Sequence, residues 1–276
     1  MVYRWQCRRC AFDCWAASVD AAAEAIGSHL VEHAASNIRR DDVWVAWRCP
    51  RCGAEGETYA GDVDDAVESF ESHLLGHAKS RLEADAHVAD AVGGTGNVLV
   101  ISPLDGDAAD NARTHFLSRG DDVVLVTANP AARLRLLDRT LPSWPASTTV
   151  VTTATEPLSG VDVDPAARSI SVVPLDGRPD LSGVGETLSR TIESHQSAGT
   201  LSVEFDILPE LLATFELRTV FRFLHLLTAR LDRERALAHY YLDPRRAQRA
   251  SCNVLEGVFD LSIRAEGSVF VAGSTG

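Results

Sequence analysis

The sequence predicts an α/β fold, a mostly parallel sheet flanked by helices, preceded by two small ββα-type units. Three observations carry this. From residue 97 onward, short runs rich in Val, Ile and Leu alternate with stretches of helical period, as strands buried on both faces between helices do. Before residue 83, one spacing of Cys and His occurs twice. Between the two regions, Gly93-Gly94-Thr95-Gly96 marks a flexible boundary, so 83–96 is expected to be a linker and 97–276 one α/β domain.

The first unit, 1–40, contains Cys7-x-x-Cys10, eighteen residues, then His29-x-x-x-His33; the second, 41–82, contains Cys49-x-x-Cys52, twenty residues, then His73-x-x-x-His77. Two thiols on a tight turn and two imidazoles one helical turn apart are four ligands suited to a tetrahedron around zinc, so two zinc ions are expected. The copies share more than ligands. Aromatics precede both thiol pairs (Trp5; Trp44 and Trp47), and an apolar residue lies three before the first His (Ile26, Phe70). Ser28-His29-Leu30 matches Ser72-His73-Leu74. Each unit ends in an amphipathic helix, VDAAAEAIGSHLVEHAASN and VDDAVESFESHLLGHAKSRL. Units this small need the metal to fold.

By ligand order and His spacing these units resemble the two-Cys, two-His zinc fingers of nucleic-acid-binding proteins, over about 80 residues. They depart from that pattern in the gap before the first His, which is roughly twelve residues in the DNA readers. Readers also place Arg, Lys, Asn or Gln at the helix start to meet base edges. Here those positions read Ser18-Val19-Asp20-Ala21 and Asp62-Val63-Asp64-Asp65. A protein partner is therefore the expectation. Nucleic acid is the alternative, and requires Arg4, Arg8, Arg9, Arg39, Arg40, Arg48 and Arg51 to gather on one face.

Composition bounds the rest. The net charge is −13, and of 26 basic residues only Lys79 is a lysine. A surface rich in Asp and Glu and nearly empty of Lys resembles that of proteins from salt-loving archaea, and it argues against a broad phosphate-binding face. The sequence shows no basic-then-apolar leader and no run of eighteen apolar residues, so a soluble cytoplasmic protein without a membrane role is expected. Six Cys, four of them in metal spacing, fit a reducing compartment. Cys252 reads as a small buried hydrophobe and Cys14 as a weak candidate for a spare ligand.

In the second region the expected strands are 97–102, 122–127, 148–153, 169–173, 200–206, 235–241 and 257–263, with 268–272 as a last antiparallel piece. The expected helices are 107–119, 130–139, 183–197, 214–231 and 244–255. The opening GNVLVISPLDGDAADNARTHFLSRGDDVVLVTANP and the later LSVEFDILPELLATFELRTVFRFLHLLTARL resemble RecA- and KaiC-like ATPases across about 97–265. The combination of these segments also resembles a haloarchaeal family of degenerate RecA/KaiC-like proteins of unknown function. That resemblance implies a phosphate loop at Ser102-Pro103-Leu104-Asp105-Gly106-Asp107-Ala108-Ala109, but the loop has lost its Lys and its hydroxyl. Asp105, Asp107 and Asp110 stand there instead and would repel an anion. Asp107 is expected to cap helix 107–119. Asp206 matches the family's magnesium-supporting acid, with Glu204 two residues earlier, and reads here as a strand-end residue opening a turn before Pro209. His239 and Asp243 bracket another strand end, where doubly wound sheets bind ligands, yet a His beside two Tyr reads first as packing. His225 reads as core or interface. With no G-x-S-x-G and no paired nucleophile and base, neither catalysis nor nucleotide binding is expected; the second alternative, a divergent nucleotide-binding or ATPase-like protein, requires a ligand pocket at the strand ends despite the lost loop.

Overall fold

The computed structural model describes residues 2–59, 61–175, 180–195 and 199–273. They form two compact units. One takes in residues up to 87 together with those from 269 onward; the other spans 88–268.

In the first unit, strands β1 (Tyr3–Gln6) and β2 (Asp13–Ala16) form an antiparallel hairpin around Cys7 and Cys10. Helix α1 (Val19–Ala34) starts at Ser18, whose hydroxyl accepts from the Ala21 amide at 3.1 Å. Strands β3 (Ile38–Arg40), β4 (Trp44–Arg48) and β5 (Glu55–Tyr59) make a second antiparallel sheet, followed by helix α2 (Val63–Lys79). The two helices pack on each other. At their contact the Glu71 side chain lies against Gly27, where a Cβ would force it to move. The antiparallel pairing expected of 268–272 is present, and its partner is β2: Val269–Ala272 adds a third strand to the first sheet. Val269 and Val271 lie against the core of Trp5, Phe12, Cys14 and Ile26. Burial of that apolar face explains why the strand joins this sheet.

The second unit has the expected architecture. Its elements in order are β6 (Gly96–Ile101), α3 (Asp107–Leu117), β7 (Asp122–Val126), α4 (Pro130–Thr140), β8 (Ser147–Thr152), β9 (Ile170–Pro174), α5 (Leu181–Ser194), β10 (Leu201–Phe205), α6 (Leu208–Thr214), α7 (Leu217–Arg233), β11 (Leu237–Leu242), α8 (Arg249–Glu256) and β12 (Leu261–Glu266). Within this unit the strands run β12-β6-β11-β10-β7-β8-β9, every pairing parallel. Strands β10 and β11 fill the space between β6 and β7, so the carboxyl ends of four central strands open side by side. Every residue of β6, β7, β10 and β11 is buried, as apolar strands covered on both faces require.

Three local expectations are corrected. Pro209 does not follow a simple turn; it lies in the first turn of α6, where its missing N–H costs nothing. Helix α8 begins at Arg249 rather than 244. Asp107 does not cap α3: Gly106 holds that position without a side-chain bond, and Asp107 is the first helical residue. There its charge still favours the helix dipole. Among the described residues no helix is long and apolar enough to cross a membrane.

Candidate metal centres and the strand-end site

All eight ligands expected from the sequence come together in two clusters, Cys7, Cys10, His29, His33 and Cys49, Cys52, His73, His77. Within each, the four ligand atoms lie within 4.8 Å of one another. The hairpin turn presents both thiols and the last turns of the helix present both imidazoles. In the first cluster His33 Nε2 is 3.5 Å from Cys7 Sγ and 3.3 Å from Cys10 Sγ, and His29 Nε2 is 3.4 Å from Cys10 Sγ. In the second, Cys49–His77 and Cys52–His73 are 3.6 and 3.2 Å apart. A tetrahedral site with metal–sulfur bonds near 2.3 Å and metal–nitrogen bonds near 2.0–2.1 Å has sulfur–nitrogen edges of about 3.6 Å. The spacing is thus that of a tetrahedron's edges, and both clusters can hold a metal ion.

The surroundings support ligation. The amides of Arg9 and Phe12 donate to the sulfurs of Cys7 and Cys10, at 3.4 and 3.5 Å, and hold the thiol turn in place. Burial, then the neighbouring His33, lowers the His29 pKa; burial, then His73, does the same for His77. Neutral imidazole is the form that ligates. Aromatic rings fix the first His of each pair. Phe12 stacks on His29 with centroids 3.8 Å apart, and Trp47 lies 5.2 Å from His73 while stacking on Phe70. Cys14 stays out of the cluster. It is fully buried on β2, and burial raises its pKa to about 12, which makes it a packing residue. Cys252 is likewise buried on α8.

At the strand ends of the second unit the sequence reading missed the main feature. Arg113 of α3 is fully buried, with its guanidinium among three carboxylates: 2.9 Å from Asp110, 2.7 Å from Asp206 and 3.5 Å from Glu204. The Tyr241 ring lies 4.5 Å beneath it. Arg133 of α4 adds a second cation, 3.2 Å from Asp110 and 3.9 Å from Asp206. Thr127 donates to Asp206 at 3.2 Å. Asp206 is therefore held by two arginines and a hydroxyl rather than opening a turn. Burial opposes the Arg113 charge, but Asp206 and Glu204 outweigh it and hold its pKa above the usual range. Glu204 is fully buried, neither oxygen has a hydrogen-bond donor, and burial raises its pKa to about 7 against the pull of Arg113.

The loop Ser102–Gly106 is tied down beside this cluster. Arg245 bridges Asp105 at 2.6 Å and Asp243 at 2.8 Å, and its own amide and Nε also donate to Asp243. Those bonds lead the lowering of the Asp243 pKa. His239 is buried, stacked on Phe116 and 2.9 Å from the Tyr241 hydroxyl, so it packs as expected. His225 is not in the core: it is exposed on α7, where Leu224 and Leu227 take the buried positions.

A family model described as a family of unknown function, DUF7504, matches residues 95–265. No curated protein matches the chain. A solved structure from Pyrococcus horikoshii OT3, titled as a structural study, shares 14% identity, with 64% of this chain and 85% of that one covered and a TM-score of 0.45.

Proposed function

Starting from the premise that the chain belongs to the DUF7504 family of unknown function, we propose that it is a non-catalytic zinc-binding protein, regulatory or scaffolding in role, acting through protein–protein contacts. The observation that carries this reading is the Arg113 cluster. The position the resemblance gives to a magnesium-supporting acid, Asp206, is neutralised by Arg113 and Arg133, and the neighbouring loop is closed by the Arg245 bridge to Asp105 and Asp243. A nucleotide's phosphates would have to displace these ion pairs while facing Asp105, Asp107 and Asp110, with no Lys to meet them. The RecA/KaiC-like segment then serves as a platform.

Zinc is the metal that two thiols and two imidazoles in a closed tetrahedron suit best. The lysine-poor, acidic composition supports a salt-rich cytoplasm as its setting. Contact with protein is supported by an apolar patch on the second finger, where Val43, Trp44 and Tyr59 are about half exposed. Trp44 and Tyr59 pair across β4 and β5 at 6.2 Å, and exposed aromatic groups of this kind mark interaction surfaces. Reading of DNA has less support: Arg4 is bound to Asp13 and Arg48 to Glu55. The test pairs elemental analysis with calorimetry on protein purified without chelator. We expect about two zinc ions per chain and no heat from ATP–magnesium in high salt. A metal content near zero, or a micromolar ATP affinity, overturns the reading.

A further inference from the structure

Of the 25 arginines, eleven make an ion pair with a carboxylate among the described residues. Of those that make none, four gather in one place. Among the described residues no ion pair is made by Arg8, Arg9, Arg51 or Arg81, and they converge within the first unit. Arg9 and Arg51 are the residues just before the second Cys of each thiol turn. Each reaches the end of its own finger's helix, Arg9 donating to the His33 carbonyl at 3.2 Å and Arg51 to the His77 carbonyl at 3.4 Å. Arg81, just beyond α2, lies over the Trp5 ring at 4.9 Å. Its Nε is buried and has no partner. Burial, then the charges of Arg8 and Arg51, lowers its pKa, so these cations feel one another. Arg9, Arg51 and Arg81 line one cavity of about 290 Å³ between the fingers, with Leu30, Leu74 and Pro50 among its apolar wall.

A structural explanation accounts for part of this: a basic residue at a helix C-terminus complements the dipole. Two helix ends supply roughly half a negative charge each. Three guanidinium groups on the cavity and Arg8 beside it exceed that total several-fold. Arg81 caps neither helix end, and its position over Trp5 holds the guanidinium plane in a fixed orientation. The Cys7 sulfur offsets part of this charge at Arg81, and the remaining like charges, with no carboxylate paired to them, favour an anion in the cavity.

We propose that the cavity between the two fingers is a binding site for a phosphate-bearing small molecule. Arg9, Arg51 and Arg81 hold the phosphate through bidentate bonds, and the apolar wall takes the organic group esterified to it. The inference rests on the metal reading of the two clusters, because the ions set the helix ends that carry Arg9 and Arg51. It adds a ligand to that reading, and the cavity walls make binding of such a ligand a way for the fingers to report its presence.

The test uses the full chain with its zinc content measured in the same sample, titrated calorimetrically with inorganic phosphate and with phenyl phosphate. We expect both to bind one per chain, phenyl phosphate the more tightly. Arg81→Gln and Arg51→Gln should each weaken both by about tenfold or more, the loss of one charged hydrogen-bonding partner, with zinc content unchanged. Full zinc with no binding of either probe overturns the proposal while leaving the metal reading intact; low zinc overturns the metal reading itself. Unaltered affinity in both variants overturns the assigned residues. A DNA duplex that binds more tightly than phenyl phosphate, and loses affinity in the same variants, overturns the small-molecule site in favour of a phosphodiester surface.

Discussion

Glu204 enters the core of the second unit with no donor on either carboxylate oxygen, 3.5 Å from Arg113. Burial raises its pKa to about 7, above the value near 4.3 of an unfolded glutamate. A group whose folded pKa is raised contributes stability that is fully present below the unfolded pKa and is lost as pH rises through the folded one. The wild-type protein should therefore lose on the order of 1 to 3 kcal/mol from this residue between about pH 4.5 and 7. Glu204→Gln keeps the shape and carries no charge to desolvate. Melting both proteins from pH 4.5 to 8 should show the variant gaining on the wild type as pH rises, then running parallel above about pH 7. A constant difference across that range would show that Glu204 does not titrate there. At this scale the sequence was partly legible. The eight Cys and His ligands could be read because spacing alone brings them together on a turn and a helix face. Arg113 could not, because an arginine in a helix of helical period reads as solvent-facing. The available signal was its position three residues after Asp110, together with two acids, Glu204 and Asp206, in one apolar strand that needed a cation.

Elements depend on how such side chains meet across them. In the second finger, β4 places Trp47 directly opposite Gly56 of β5, and the indole lies over the glycine while stacking on Phe70 and approaching His73. A Cβ at position 56 would fall 2.5 Å from the indole ring. The ring is rigid and closed in on its other face, so it cannot retreat without moving His73. Gly56→Ala should cost about 1–3 kcal/mol, as overpacking does, and should weaken the second metal site ahead of the first. Competition with a chromophoric chelator checks this: one of two ions should be released earlier than in wild type. Release of both ions unchanged from wild type would mean that Trp47 does not hold the site. The repeat and the seven parallel strands of the second unit were legible because periodicity reports burial directly. Two short pairings were not, those of Ile38–Arg40 with β4 and of Val269–Ala272 with β2. Three or four residues carry too little pattern to name a partner, and register in such strands is set by the surface they cover. Helix α6 was hidden by Pro209, which marks a helix start as readily as a turn.

For the molecule as a whole, the decisive difference between the two units is how each is stabilised. The second unit has a continuous apolar core that includes Leu99, Val124, Phe205, Leu224 and Tyr240, enough to fold without a ligand. The first has two small clusters, one around Trp5, Phe12 and Ile26 and one around Trp47, Phe70 and Leu74. Each abuts a Cys/His set, and small units of this kind derive much of their folding free energy from metal. Removing the metal should therefore separate them. Stripped with a chelator and melted in high salt, which screens the repulsion of a chain of net charge −13, the protein should lose the transition of the first unit. The transition of the second should remain within about 5 °C, a shift of the size that roughly 1–2 kcal/mol produces in a domain this large. Adding zinc should restore the lost transition, with saturation at two ions per chain. If stripping instead leaves both transitions unchanged, the clusters are not structural metal sites. If it collapses both together, the core of Val88–Ser268 is insufficient by itself and the two units fold as one.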